Sequence, residues 1–131
     1  MKMTIEIFKQ IQKLFTFQFV RLDSIENSYN KGNLFYIRRD DKIAGALIIS
    51  SDGNRVLDVA VHKDYRRQGI AQQLVEQTNA NIAYAMKESL PFWKSIGWIE
   101  IPNYQGRFFR PDKLVCVKHP NSPSILRSIN K

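Results

Sequence analysis

The stretch that most narrows what this 131-residue chain can fold into is Val56 to Ala71. An apolar run of strand character ends at Val61, a basic turn follows, and helical spacing begins near Gln68-Gly69. Ile70, Ala71, Leu74 and Val75 make one apolar stripe against Gln72, Gln73, Glu76 and Gln77, which predicts a helix from about Arg67 to Thr78. Beyond it, Ile82-Ala-Tyr-Ala-Met86 has the length and apolarity of a buried strand. A strand–helix–strand crossover makes its two strands parallel and neighbours, so the chain belongs to the α/β class.

Upstream, turn chemistry sets the pattern. Leu34 to Ile37 reads as a strand, Asp40-Asp41-Lys42 as a turn, and Ile43 to Ile49 as a second strand. Ser51-Asp52-Gly53-Asn54 is the next turn, and Val56 to Val61 completes a three-stranded antiparallel meander. Ile7, Phe8, Ile11, Leu14 and Phe15 predict an amphipathic helix over 5–15, and the alternation of Phe15, Phe17 and Phe19 is open to a short strand or a helical continuation. Asp23 to Asn33 is polar and reads as irregular. Downstream, Ser89 is a candidate cap for a short helix through Pro91, Phe92 and Trp93 that Gly97 ends. Trp98–Ile101 and Leu114–Val117 are the last strands. The expectation is one domain over 1–118, built on a mixed, mostly antiparallel sheet with flanking helices, and a loosely held tail over 119–131.

Composition removes several classes. Hydrophobic residues at 44% and charged residues at 24% are ordinary globular values, which excludes wholesale disorder. Cys116 stands alone, with only His62 and His119 to join it, so neither an internal disulfide nor a zinc cage is expected, and no metal is. No stretch approaches the ~20 apolar residues that cross a bilayer. The first fifteen residues are broken by Glu6, Lys9, Gln10, Gln12 and Lys13, unlike a signal peptide, so a cytoplasmic protein without a membrane partner is expected. Twenty Lys and Arg against twelve Asp and Glu give a formal charge of +8. That field gathers anions without choosing among them. The cations come in scattered pairs such as Arg38-Arg39 and Arg66-Arg67, the distribution of a solvated surface more than of a duplex-binding face.

The turn after Val61 has chemical content of its own. A helix start leaves backbone N–H groups unpaired with partial positive charge behind them. Gly69 removes the side chain that would keep a phosphate from those amides, Ala71 is nearly as small, and Lys63, Arg66 and Arg67 surround them. Neither a Gly-Lys-Ser/Thr loop nor a triple-glycine dinucleotide pattern is present. The phrase Val59-Ala-Val-His-Lys-Asp-Tyr-Arg-Arg-Gln-Gly-Ile-Ala71 closely resembles the acetyl-coenzyme A signature of the GCN5-related N-acetyltransferase (GNAT) family, with Arg66, Gly69 and Ala71 in the three signature positions. Phe92-Trp-Lys-Ser-Ile-Gly-Trp98 resembles the family's later Phe-Tyr-x-x-x-Gly-Phe segment. The resemblance covers residues 34–118 and implies a GNAT-like fold with a splayed parallel strand pair and a reduced N-terminal portion.

It also implies a division of labour. Val59, Ala60 and Val61 would line the pantetheine arm of acetyl-coenzyme A, and Arg66, Arg67, Gln68, Gly69, Ile70, Ala71 and Gln72 would hold the pyrophosphate. A backbone N–H near Val61 would polarise the thioester, and an amine would attack it directly, with no metal involved. The family's usual tyrosine acid is replaced by Trp93, its frequent asparagine has no counterpart among Met86 to Ser89, and a glutamate common at the start of the signature strand is replaced by Arg55. Tyr84 and His62 are the candidates for proton transfer, each weighed against a plain role as core tyrosine or exposed turn residue; Asp58 and Glu100 stand behind them. Cys116, Trp93 and Trp98 read as core packing. The charge favours an anionic amine acceptor over a polycationic one. A degenerate, non-catalytic module binding nucleic acid or a protein is the second reading, and a monomer or a homodimer fits either.

Overall fold

A computed structural model describes residues 5–15, 22–106 and 109–121. The chain divides into two compact units, Met1–Asn79 and Ala80–Lys131, with the strands antiparallel inside each and an α/β content overall.

In the first unit, helices α1 (Ile5–Leu14) and α2 (Leu22–Asn30) precede strands β1 (Leu34–Arg39), β2 (Lys42–Ile49) and β3 (Arg55–Val61), and α3 (Ile70–Glu76) follows. The turns are what the sequence demands of them. Asp40 and Asp41 both take positive φ, 53° and 64°, the geometry that joins two twisted strands through two residues. In the next turn Asp52 Oδ1 accepts from Ser50 Oγ at 2.6 Å and from the Asn54 amide at 3.0 Å, while Gly53 sits at φ +79°. Those bonds, the serine's first, hold the Asp52 carboxyl below its ordinary range.

β2 is the spine. Every residue from Ile43 to Ile49 is buried, because helices cover it on both faces. On one face α1 contributes Ile7, Phe8 and Ile11 to a core with Ile25, Leu34, Ile43, Ala46 and Ile48, against which Ala60 also packs. On the other lies α3: a Cβ on Gly45 would stand 2.7 Å from Ile70 Cγ2 and 3.1 Å from Leu74 Cδ1. Glycine at 45 therefore sets how closely α3 approaches the sheet.

Two register slips interrupt this sheet. Ile37 pairs with Gly45 and Arg38 with Ile43, so Ala44 is an extra residue in β2; Ile48 pairs with Asp58 and Ile49 with Val56, so Leu57 is an extra residue in β3.

The second unit has β4 (Ile82–Met86), α4 (Leu90–Ser95), β5 (Ile99–Glu100) and β6 (Leu114–Lys118), with β6 antiparallel to both other strands. Pro91 occupies the first turn of α4, and the helix closes with bonds from the Gly97 amide to Lys94 O and the Trp98 amide to Trp93 O around Gly97 at φ +92°. Trp93 and Trp98 are buried with ring centroids 4.8 Å apart, and Cys116 is buried.

The sequence expectations need three corrections. Asp23 to Asn33 is not irregular: Leu22–Asn30 is helical, its one buried residue Ile25 anchoring about two and a half mostly polar turns. α3 starts at Ile70 instead of Arg67, because Arg67 and Gly69 both take positive φ, 65° and 76°. Ser89 stands at the start of α4 without capping it; its hydroxyl donates back to Met86 O at 2.7 Å. The alternation at Phe17 and Phe19 and the tail beyond Asn121 lie outside the described residues. Among the described residues, no helix is long and apolar enough to cross a membrane.

Candidate functional site

The corner from β3 to α3 is built by hydrogen-bond arithmetic. The His62 amide donates to Ala44 O at 2.7 Å. In an antiparallel ladder the backbone groups of alternate residues face the same neighbour. With Ala60 opposite Ala46 and Asp58 opposite Ile48, the backbone groups of His62, Ala60 and Asp58 are turned to β2, and those of Val59 and Val61 point away from it. Of the three strand residues singled out by sequence, Val59 and Val61 thus turn their N–H and C=O groups away from β2, while Ala60 presents its side chain to the α1 core. Arg66 folds back over this end, its Nε 3.4 Å from Val61 O.

After His62 a single 3-10 turn, Lys63–Tyr65, carries the chain round. His62 stabilises that turn: its Nδ1 accepts from the Asp64 amide at 3.1 Å. The lone pair of Nδ1 is engaged there, so the neutral ring carries its proton on Nε2. Tyr65 is buried and points its hydroxyl at Arg39 O and Asp40 Oδ2, both 3.3 Å away. Burial, reinforced by Asp40, raises the Tyr65 phenol above its ordinary value, so it stays a donor.

Arg66, Arg67, Gln68 and Gly69 are exposed. Gly69 stands immediately before α3 in the left-handed conformation, with no side-chain cap, and a Cβ built on it meets nothing within 4 Å. The first intrahelical bond is Gln73 N–H to Gly69 O at 3.0 Å, which leaves the amides of Ile70, Ala71 and Gln72 without helical acceptors. The helix is short, but the surrounding charge adds to its end: Lys63, Arg66 and Arg67 are exposed, and Arg39 reaches Gln73 Oε1 at 3.4 Å from the β1–β2 turn. Arg39 is a contributor that reading along the sequence missed, because only the hairpin brings position 39 beside position 73.

Of the proton-transfer candidates, Tyr84 lies in the second unit, half-buried on β4 opposite Cys116, its hydroxyl 2.8 Å from that of Tyr104. Tyr84, Tyr104 and Phe109 pack ring against ring at 5.1 to 5.5 Å. A Cβ on Gly106 would collide with the Tyr104 ring, so glycine there lets the loop fold over it. Tyr104 had no periodic signal to announce it. Asp58, on β3, is half-buried with its carboxyl pushed up to about 6 by desolvation. Glu100 is half-buried on β5.

Comparison with known proteins agrees with this architecture. A sequence profile described as an acetyltransferase (GNAT) domain matches residues 6–107. No curated protein sequence matches the chain. Among solved structures, a GNAT-family acetyltransferase from Bacillus cereus is similar at 15% identity and a TM-score of 0.63, covering 91% of this chain and 95% of that one. Ard1 from Thermoplasma volcanium is similar at 14% identity and 0.60, covering 89% and 91%. An aminoglycoside acetyltransferase from an uncultured soil metagenomic sample, in complex with sisomicin, is similar at 20% identity and 0.55, covering 81% and 86%.

Proposed function

We infer that this chain, which belongs to the GNAT acetyltransferase family, moves an acetyl group from acetyl-coenzyme A to the nitrogen of an amine acceptor by direct attack. The observation that carries the reading is the end of β3: outward backbone groups at Val59 and Val61 lead into open amides at Ile70, Ala71 and Gln72, with Gly69 leaving the approach clear. That arrangement fits an anionic diphosphate at the amides and an amide-bearing arm along the strand. When bound, acetyl-coenzyme A supplies an acyl group already activated as a thioester.

The chain's residues then divide the work. Gly69, Ile70, Ala71 and Gln72 receive the diphosphate on their amides, with Arg66, Arg67 and Gln68 at its rim. Val59 and Val61 pair with the arm, Ala60 fixes the strand to its core, and an N–H near Val61 faces the thioester oxygen. His62 Nε2–H is the donor this unit has available for returning a proton to the departing thiolate.

Calorimetry with acetyl-coenzyme A and a thiol-release assay with amines test the reading. Saturable binding and a melting temperature that climbs with ligand are expected, by about 2.7 kcal/mol of stability at a hundred times Kd. Neither heat nor stabilisation at millimolar ligand would overturn it.

A further inference from the structure

We propose that Asp64 is the positioning residue of the proton donor: its carboxylate receives the Nδ1–H of a charged His62, so that the ring can give up the proton on Nε2. The proposal rests on the acetyl-transfer reading above and completes its last step.

The chemistry sets the requirement. A neutral imidazole that lost its Nε2 proton would be left an anion, so a histidine returns a proton to a thiolate only from the charged ring. The second proton enters at the Nδ1 lone pair. In the structure that lone pair is occupied by the Asp64 amide at 3.1 Å. Protonation removes this acceptor and makes Nδ1 a donor facing its former donor. A group beside the amide must take the new N–H.

The same residue supplies it. Asp64 Oδ2 stands 3.7 Å from Nδ1, so one ring atom has a partner on Asp64 in either state. The amide serves its lone pair and the carboxylate serves its proton. Closing the gap to hydrogen-bond length takes about 1 Å. Both ends of the turn are pinned meanwhile. The His62 amide is held by Ala44 O at 2.7 Å, the Tyr65 amide by His62 O at 2.9 Å, and the Tyr65 hydroxyl by Arg39 O and Asp40 Oδ2. The Tyr65 ring meets the imidazole edge-on at 5.7 Å between centroids. His62 directly follows Val61, whose N–H the reading sets at the thioester oxygen, so the ring stands at the end of the strand where the sulfur departs.

The charged groups of the elements around the ring make the carboxylate necessary. The turn brings Lys63 with Asp64, and Arg66 folds back to Val61 O. The β1–β2 hairpin brings Arg39, Asp40, Asp41 and Lys42, with Asp40 engaged by the Tyr65 hydroxyl. β2 has no ionisable residue from Ile43 to Ile49, and α3 has only Glu76, in its last position. α1 carries Glu6, Lys9 and Lys13, all exposed, and Arg55 and Asp58 stand further back on β3. With Lys63 and Arg66 as neighbours, a charged ring needs a carboxylate beside it. The step then balances. Nδ1 takes a proton from solvent, which receives the one that the acylated nitrogen loses. The Nε2–H bond breaks in favour of an S–H bond on the thiolate, and the ring is left neutral with its proton on Nδ1 against Asp64. Exchange with solvent restores the Nε2–H form.

The test compares the full wild-type chain with Asp64→Ala, which keeps the amide donor and removes the carboxylate, and with Asp64→Asn, whose Oδ1 still accepts from Nδ1–H. Hydroxylamine serves as the amine probe, with its uncatalysed reaction subtracted. In Asp64→Ala, kcat for thiol release should fall about 10-fold at unchanged KM for acetyl-coenzyme A, and Asp64→Asn should recover part of the loss. Ring-nitrogen resonances give a readout free of turnover. In the neutral wild type they should show the His62 proton on Nε2. In acid a protected Nδ1–H should appear, and Asp64→Ala should lose that protection. An aspartate that only stiffened the turn would alter the melting temperature and leave kcat and the Nδ1–H signal alone. Wild-type kcat in Asp64→Ala, a neutral ring protonated on Nδ1, or equal Nδ1–H protection in both proteins overturns the proposal, as does a wild type that binds acetyl-coenzyme A and accelerates no thiol release. A wild type that shows both ring states yet binds no acetyl-coenzyme A removes the acetyl-transfer reading instead, and the task of the donor with it, while the pairing stands.

Discussion

The two units handle their polar groups in opposite ways. In the first, among the described residues, the amides of Ile70, Ala71 and Gln72 have no helical acceptors, a Cβ on Gly69 would meet nothing within 4 Å, and the Asp58 carboxyl is raised by desolvation alone. In the second, the comparable groups are consumed. Tyr84 and Tyr104 join their hydroxyls, Phe109 closes on both rings, and Trp93, at the position where the family resemblance leads one to expect a tyrosine, is packed against Trp98. Unmatched polarity is costly in a folded chain, so where it is concentrated a ligand has the most to offer. On the acetyl-transfer reading, the first unit is therefore the one that binds the donor, while the second joins its polar groups to one another.

That contrast can be broken most severely at Gly69. Gly69→Glu places a carboxylate before the amides, and acetyl-coenzyme A affinity measured by calorimetry should fall at least about 100-fold, roughly 3 kcal/mol. The same change forces a non-glycine residue to φ +76°, costing only about 1 kcal/mol in a denaturation curve. Unchanged affinity would mean that the corner is not prepared for a diphosphate.

How much of this was legible in the residues follows from the same physics. The meander announced itself because Asp40-Asp41 and Asp52-Gly53 have few alternatives to turning, and the Gly69 corner because a strand, a basic turn and a small residue are all local signals. α2 was hidden, since one buried isoleucine among nine residues leaves no stripe to read. The bulge at Leu57 was hidden too: register is a property of two strands, and alternation read along one of them cannot show an inserted residue. Arg39 beside Gln73 and Tyr104 against Tyr84 are contacts between distant positions, and no periodicity encodes those.

A smaller effect sharpens the comparison through pH. The Asp58 carboxyl titrates at about 6 in the fold against 3.8 as its ordinary value, so the folded state holds its proton more tightly. The stability from this group is complete below the unfolded value, and it is lost as pH rises through 6. Asp58→Asn keeps the shape without the charge. It should be more stable than the wild type by on the order of 2 kcal/mol at pH 8, with the advantage vanishing by about pH 4 in urea titrations. A constant difference across that range would mean that the charge is not what Asp58 costs.

The smallest effect belongs to the second unit. Tyr104→Phe removes one hydroxyl from a satisfied pair and leaves the other half-buried, which should cost about 1 kcal/mol in the same titrations without altering acetyl-coenzyme A affinity. A weakened grip on the donor would show that the two units are not as separate in purpose as their bonding suggests.

Position 45 lies within β2, yet it governs the height at which α3, the helix proposed to receive the diphosphate, rides above the sheet. A single methyl group there would lift Ile70, the first residue of that helix, and with it the tips it presents. Binding strength in such a protein can thus be retuned from beneath, by altering the seat and leaving every contacting residue as it was.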